Sequence, residues 1–266
     1  MQNSSNLTEL AFWDNYWKNI QIPVIPNYNF SFDRCLEKGL HEVVNSALKS
    51  RNRNTRSTVL EIGAAPGKWL SIFPQDSYQV SGIEYSDRGI QALQANLKAL
   101  DIEPGELIHG DFFSLEPTQS YDIVMSLGFI EHFDDPKMVV RRHIEWLKPG
   151  GLLILGVPNF TGLHGFAQLV LDKRILDVHN TLIMNKAFFT SLQNNLDIEI
   201  NTFQYLGSFE PDLPMTYERR NFLNFAPKAI LRLAAMVRRL QLWDSINSPF
   251  TSSYILASYT KKGEPN

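Results

Sequence analysis

The residues best able to do chemistry surround a short glycine turn. The stretch Val59-Leu60-Glu61-Ile62-Gly63-Ala64-Ala65-Pro66-Gly67 reads as a buried strand that breaks into a sharp bend. Glycine at 63 and 67 lets the backbone turn and approach a ligand with no Cβ in the way. A second apolar run ends at Glu84, 21 positions after Gly63. A carboxylate there can accept hydrogen bonds from both hydroxyls of a ribose. Either feature alone is an ordinary turn or an ordinary surface acid; together, at this spacing, they favour a nucleoside site. A dinucleotide fingerprint would need glycine at 63, 65 and 68. This chain has Gly63, Ala65 and Lys68, and Pro66 lacks the N–H that would cradle a pyrophosphate. A nucleoside without phosphate fits better.

The elements that must hold this turn alternate. Strand patterns over 58–62, 78–85, 107–108, 121–126 and 152–157 are separated by helical stripes. Ile90, Leu93, Leu97 and Leu100 form one stripe; Val140, Ile144 and Leu147 form another, ending at Lys148-Pro149-Gly150-Gly151. A helix is also expected to start at Lys68. Such βαβ alternation predicts a parallel sheet covered on both faces. Two later β-branched runs, 198–203 and 254–259, are too far apart for a hairpin, so a cap is expected between them. The expected organisation is one domain: a helical lid over 1–57, a ligand-binding core over 58–204, the cap over 205–250, and a last strand and tail over 251–266.

Bulk properties narrow the class. A chain of 266 residues that is 44% hydrophobic can bury a full core. The net charge of −3 gives no reason to expect a nucleic-acid partner. No run approaches the roughly 20 apolar residues that cross a bilayer, and the first ten residues do not read as a secretion signal. Cys35 is the single cysteine, within a helical stripe, which suits a packing role and a reducing cytoplasm. Pro214 to Trp243 carries Arg219, Arg220, Lys228, Arg232, Arg238 and Arg239 against one acid, Glu218. The stretch 227–243 can therefore pack on the sheet with a solvated basic face, or touch a membrane surface peripherally. No oligomeric state follows from the sequence.

Five segments, in order over residues 58–159, resemble the class I S-adenosylmethionine (SAM)-dependent methyltransferases. The strand and turn through Gly67 resemble their first motif, and Gly82-Ile83-Glu84-Tyr85-Ser86 the segment with the ribose acid. Gly110-Asp111-Phe112 resembles the adenine segment. Residues Tyr121 to Phe133, with Glu131-His132, and Leu147 to Leu155 resemble the motifs of strands four and five. The resemblance implies a Rossmann-like seven-stranded α/β sheet whose last strand is antiparallel, with SAM as cofactor. Cofactor contacts are implied at Glu61, Gly63, Ala64, Ala65, Gly67, Glu84, Tyr85, Asp111, Phe112, Ser126 and Leu127.

The resemblance also narrows the acceptor. The acid and lysines of RNA ribose methyltransferases and the Asp/Asn-Pro-Pro motif of DNA amino-methylating enzymes are absent around Ser126-Leu127-Gly128. A small-molecule acceptor, methylated on oxygen or nitrogen, is the leading reading. A membrane-associated lipid or quinone-like acceptor and a catalytically inactive SAM-binding partner protein stay open beside it. Glu131-His132 is similar to the pair in ubiquinone-pathway O-methyltransferases, which carry a further Glu three positions earlier. Here that place is Gly128, so only two ligands remain and no metal is expected. His132 and His179 are the expected general bases; His109 and His143 read as structural. Trp13, Tyr16, Asn159, Phe160, His164 and Tyr217 are expected against the acceptor. Trp13 and Trp17 share one helix face, where an aromatic lid could cover the sulfonium, Trp17 nearest the cofactor.

Overall fold

The computed structural model describes residues 6–47, 55–208 and 247–263. Seven strands, β1 (Ser57–Ile62), β2 (Tyr78–Glu84), β3 (Leu107–His109), β4 (Tyr121–Leu127), β5 (Leu147–Pro158), β6 (Ile198–Leu206) and β7 (Tyr254–Lys261), form one sheet. Their order is β3-β2-β1-β4-β5-β7-β6. The first five pair in parallel. β7 slots between β5 and β6 and runs antiparallel to both. This is the expected Rossmann-like seven-stranded sheet, with the run at Tyr254 inside it.

Side chains alternate along each strand, so the sheet has two cores. Leu60, Ile62, Val124, Leu153 and Leu155 face one way, against Val139 and Val140 of helix α4 (Pro136–Glu145) and Phe189 and Leu192 of α7 (Lys186–Asn195). Val59, Ile123, Met125 and Ile154 face the other, against Leu36 and Leu40 of α2 (Ser31–Ala47) and Leu93 and Leu97 of α3 (Asp87–Ala99). Near-continuous apolar strands are what burial on both faces demands. Cys35 is half-buried within this second core, as a packing residue.

Several elements differ from expectation. The N-terminal region is two separate helices, α1 (Leu10–Trp17) and α2. α1 lies along the cavity described below, whereas α2 packs on the sheet and reaches that cavity only through Phe32. α2 lies so close to the sheet that a Cβ on Gly39 would come within 2.9 Å of Leu206 Cδ1. Between them the strap is tied to α3 by Asn96, which accepts from Val24 N–H at 2.6 Å and donates to its carbonyl at 2.9 Å. The helix expected from Lys68 is only a 3-10 turn, Leu70–Ile72, because Pro74 holds Phe73 in an extended conformation. Lys148-Pro149-Gly150-Gly151 is a bulge inside β5. Tyr121 pairs with Leu147 and Ile123 already with Leu152; Gly150 supplies the positive φ of 69°.

Between β5 and β6 the chain forms α5 (Leu163–Asp172), α6 (Arg174–Asp177) and α7. It leaves the sheet at Leu206 and re-enters at Tyr254, an insertion between the last two strands. Residues 209–246 of that insertion, with Tyr217 and the basic stretch 227–243, lie outside the described residues. Among the described residues no helix is long and apolar enough to cross a membrane.

Candidate active site

At the carboxyl ends of β1, β2 and β4 lies a cavity of about 990 Å³. Its first end is built from the glycine turn. Gly63 and Gly67 have φ of 71° and 86°, the left-handed region that side chains avoid. Space forbids side chains as well: a Cβ on Gly63 would sit 2.8 Å from the Phe129 ring, and one on Gly67 2.7 Å from Leu93. The turn is fixed by Gly63 and Ala64 N–H groups donating to the Ile83 carbonyl at 2.9 and 3.1 Å. Glu84 then clamps it. One carboxylate oxygen accepts from Ala65 N–H at 3.1 Å, the other from Ser86 N–H at 2.9 Å. Burial pushes the Glu84 carboxyl above the usual range, while these amides pull it back. Asp111 lies on the rim, where Phe113 N–H donates to it at 3.0 Å. Phe112 is buried beside it, edge-on to Phe129 at 5.9 Å.

The second end is assembled from four distant segments. The 3-10 turn Ile130–His132, following β4, presents Glu131 and His132. The chain after α6 brings His179 alongside, with the two imidazole centroids 4.5 Å apart. Asn180 N–H donates to the Glu131 carbonyl at 2.6 Å and holds the two segments together. From above, Leu7 N–H donates to the His132 carbonyl at 2.8 Å. α1 follows, with Trp13 edge-on to His132 at 5.1 Å and anchored by its Nε1–H on Thr8 at 3.0 Å. Asp14 accepts from Arg88 N–H at 3.2 Å and fixes the helix on the start of α3. Tyr254, the first residue of β7, completes the wall. Burial drives the His132 imidazole down to about 3 and also lowers His179, so both stay neutral. The same burial raises the Glu131 carboxyl to about 8.

Of the residues expected at the cofactor, Gly63, Ala65, Glu84, Tyr85, Asp111, Phe112, Leu127 and Trp17 line this cavity, together with Trp13, Tyr16, His132 and His179. Glu61, Ala64, Gly67 and Ser126 lie behind the wall and shape it instead. Glu61 is buried with one oxygen unpartnered, and burial followed by the nearby Glu84 charge pushes its carboxyl well up. Three residues expected against the acceptor do not line the cavity. Asn159 is fully buried, and its amide donates to the carbonyls of Pro249 and Ser252 at 2.8 and 2.9 Å while accepting from Thr161. It pins the chain leaving β5 to the chain entering β7. His164 is buried in the first turn of α5, outside the cavity wall. Phe160 stands behind His179, edge-on at 5.1 Å. Phe129, Glu131 and Tyr254 line the cavity without having been assigned to it. Glu131 was legible as a neighbour of His132; Tyr254 carried no signal beyond its place at a strand start.

A family model described as a methyltransferase domain matches residues 32–194. The chain belongs to the class I SAM-dependent methyltransferases. Over 130 residues it is 27% identical to the ubiquinone biosynthesis O-methyltransferase of Nitrosospira multiformis, covering 46% of this chain and 53% of that protein. Over 119 residues it is 29% identical to the malonyl-[acyl-carrier protein] O-methyltransferase of Halalkalibacterium halodurans, covering 42% and 44%. The chain thus spans about half the length of the curated relatives it matches. Its fold is similar to that of coclaurine N-methyltransferase bound to N-methylheliamine and SAH, with a TM-score of 0.60 at 14% identity over 97% of this chain and 84% of that one. It is also similar to the CurJ carbon methyltransferase, with a TM-score of 0.53 at 11% identity over 85% and 54%. One fold thus carries different acceptors, and the acceptor of this methyltransferase must be argued from its site.

Proposed function

We propose that this methyltransferase transfers the methyl group of SAM to an oxygen or nitrogen atom of a small molecule held at the second end of the cavity. The observation that carries this reading is that both ends share one continuous wall. The glycine turn, Glu84 and Asp111 stand at one end, and Trp13, His132 and His179 at the other. The residues of the first end fit an adenosine. Glu84 accepts from ribose hydroxyls, Asp111 takes the exocyclic amino group, and Phe112 and Leu127 supply apolar flanks. SAM supplies an already activated methyl group, so the chain mainly has to align a nucleophile and keep out water. α1 covers the cavity, while the Nε2 atoms of His132 and His179 can accept a hydrogen bond from the acceptor's O–H or N–H. That contact aims the nucleophile's remaining lone pair and offers a place for its proton.

A second reading keeps the chemistry and makes the acceptor a membrane-associated, quinone-like phenol. Relatives named ubiquinone biosynthesis O-methyltransferases favour it, as does the basic sequence within 214–243. Sedimentation with vesicles of anionic lipid tests it, and no binding at low salt would remove it.

Calorimetry should show SAM and SAH binding in the micromolar range or tighter, and labelled SAM should mark at least one member of a panel of phenols and amines. Tight binding of a dinucleotide with none of SAM would overturn the assignment. SAM binding with no transfer to any acceptor would instead favour a catalytically inactive partner protein.

A further inference from the structure

The cavity contains a group of side chains that cofactor binding does not use. Glu131, His132 and His179 each turn one ligand atom toward the others, all within 4.8 Å of one another, and all three are buried. Three features mark this as a built site. The Glu131 Oε2 atom is buried with no hydrogen-bond partner, although the residue is only 1% exposed. His132 Nδ1 lies 2.9 Å from the Val178 carbonyl, and His179 Nδ1 lies 2.6 Å from the Ile175 carbonyl. A carbonyl can only accept, so each Nδ1 carries the proton and each Nε2 is left with its lone pair, able to act as a ligand. Such outward bonds orient imidazoles as ligands. The frame is also held from outside, since Asn180 donates to both the Glu131 and Phe133 carbonyls, at 2.6 and 3.3 Å.

We propose that Glu131, His132 and His179 bind a divalent first-row transition metal, of the zinc or iron(II) kind, at the acceptor end of the cavity. Two imidazole nitrogens and one carboxylate oxygen suit zinc, iron or cobalt; magnesium and calcium call for oxygen ligands. The expectation of no metal counted the Glu131-His132 pair alone, with Gly128 in place of a further acid. Gly128 has a φ of 80°, where a side chain would be strained, so an acid does not belong on this backbone. The fold instead brings a third donor from beyond β5, a nitrogen in place of an oxygen.

Three protein ligands leave at least one coordination position open toward the cavity. Its use rests on the methyltransferase reading: the open position would take the oxygen of a phenol or other hydroxyl acceptor. The metal makes that hydroxyl more acidic, and its proton passes to solvent. The oxygen–methyl bond then forms as the sulfur–methyl bond breaks, and the electron pair of the broken bond returns to sulfur. With metal bound, the imidazole lone pairs hold the metal instead of accepting the acceptor's proton, and the bound oxygen is the nucleophile.

Metal-stripped full-length protein should be titrated with zinc and with cobalt, without cofactor, and separately with magnesium. The expected result is one equivalent of zinc or cobalt bound and no magnesium. Cobalt should develop visible ligand-field bands of low symmetry. His179→Gln and Glu131→Gln should each weaken binding at least about tenfold and alter those bands. SAM affinity, measured by calorimetry on the same samples, should stay near wild type and report that each variant is folded. Absence of zinc and cobalt binding in protein that still binds SAM would overturn the metal site and leave the methyltransferase reading intact. Binding that neither substitution changes would overturn it too, by placing the metal elsewhere. Metal bound at this triad with no affinity for SAM would support the site and count against the methyltransferase reading alone.

Discussion

The two ends of the cavity are made in opposite ways. At the end proposed for the cofactor nearly every residue belongs to a strand end or to the few residues after it, and the bonds that shape it tie neighbouring strand ends together, directly, as with Gly63 N–H on the Ile83 carbonyl, or through the Glu84 carboxylate. At the end proposed for the acceptor the wall comes from residues 6–17, 129–133, 175–179 and Tyr254, joined by aromatic edges and single bonds between segments. A local site of this kind tolerates little change at its glycines or at the Glu84 clamp but survives change in distant segments. A site assembled from remote segments can be altered without touching the other end.

The largest effect should come from Gly63→Val. It combines a φ forbidden to a branched residue with a contact on Phe129, together costing about 2–5 kcal/mol. Calorimetry should find SAM binding abolished, and thermal melting should show a large loss of stability; near-normal affinity would mean the turn is not the cofactor's cradle. Glu84→Ala should come next, weakening SAM by roughly 10–100-fold, the worth of about 1.5–3 kcal/mol of charged hydrogen bonding. Asp111→Ala should do less, since that side chain lies exposed on the rim. Equal losses from the two would place more of the binding on the adenine than the geometry suggests.

Trp13→Ala probes the other end. It removes the edge contact on His132 and the bond to Thr8. The acceptor's KM should rise roughly tenfold while SAM affinity changes by less than about threefold. A larger loss for SAM than for acceptor would merge the two ends into one site. The smallest effect at neutral pH should come from His143→Leu. His143 sits behind the cavity, its ring 5.0 Å from Phe112 and 5.8 Å from Phe129, and burial lowers its pKa to about 4. Unfolded, it would titrate near 6.5, so its neutral form stabilises the fold above that pH. This contribution, on the order of 3 kcal/mol, is lost as pH falls through about 4. The variant should resist acid unfolding better than the parent, followed by circular dichroism, with both ligand affinities unchanged. No shift in the acid midpoint would show that His143 charges without unfolding.

Legibility followed the same division. The β1 turn and Glu84 could be read in advance, because each is marked by residue type within a short window; Asp111 and the antiparallel placing of the run at Tyr254 came only from the family resemblance. Asn159 reads as an acceptor contact because the segment after the fifth strand borders the acceptor pocket in the proteins it resembles. Its amide is consumed by the Pro249 and Ser252 carbonyls, some ninety positions away, and nothing near Asn159 announces that. The helix expected at Lys68 failed for a local reason that was present in the sequence, the restriction Pro74 places on Phe73.

Consecutive residues by themselves determined the alternation of strands and helices, the bend at Gly63, the buried faces and the membership of the family. Periodicity, propensity and positive φ are properties of neighbouring residues, and they survive whatever the rest of the chain does. Only the tertiary structure decided that α2 covers the sheet and reaches the cavity through Phe32 alone, that Glu61 lies behind the wall, and that the His179 ring centroid stands 4.5 Å from that of His132 although 47 positions separate them. The physical reason is that parallel crossovers return every strand's carboxyl end to the same edge of the sheet. Loops far apart in the chain are thereby gathered around one cavity, and which of their side chains meet is settled by the surfaces they must bury together.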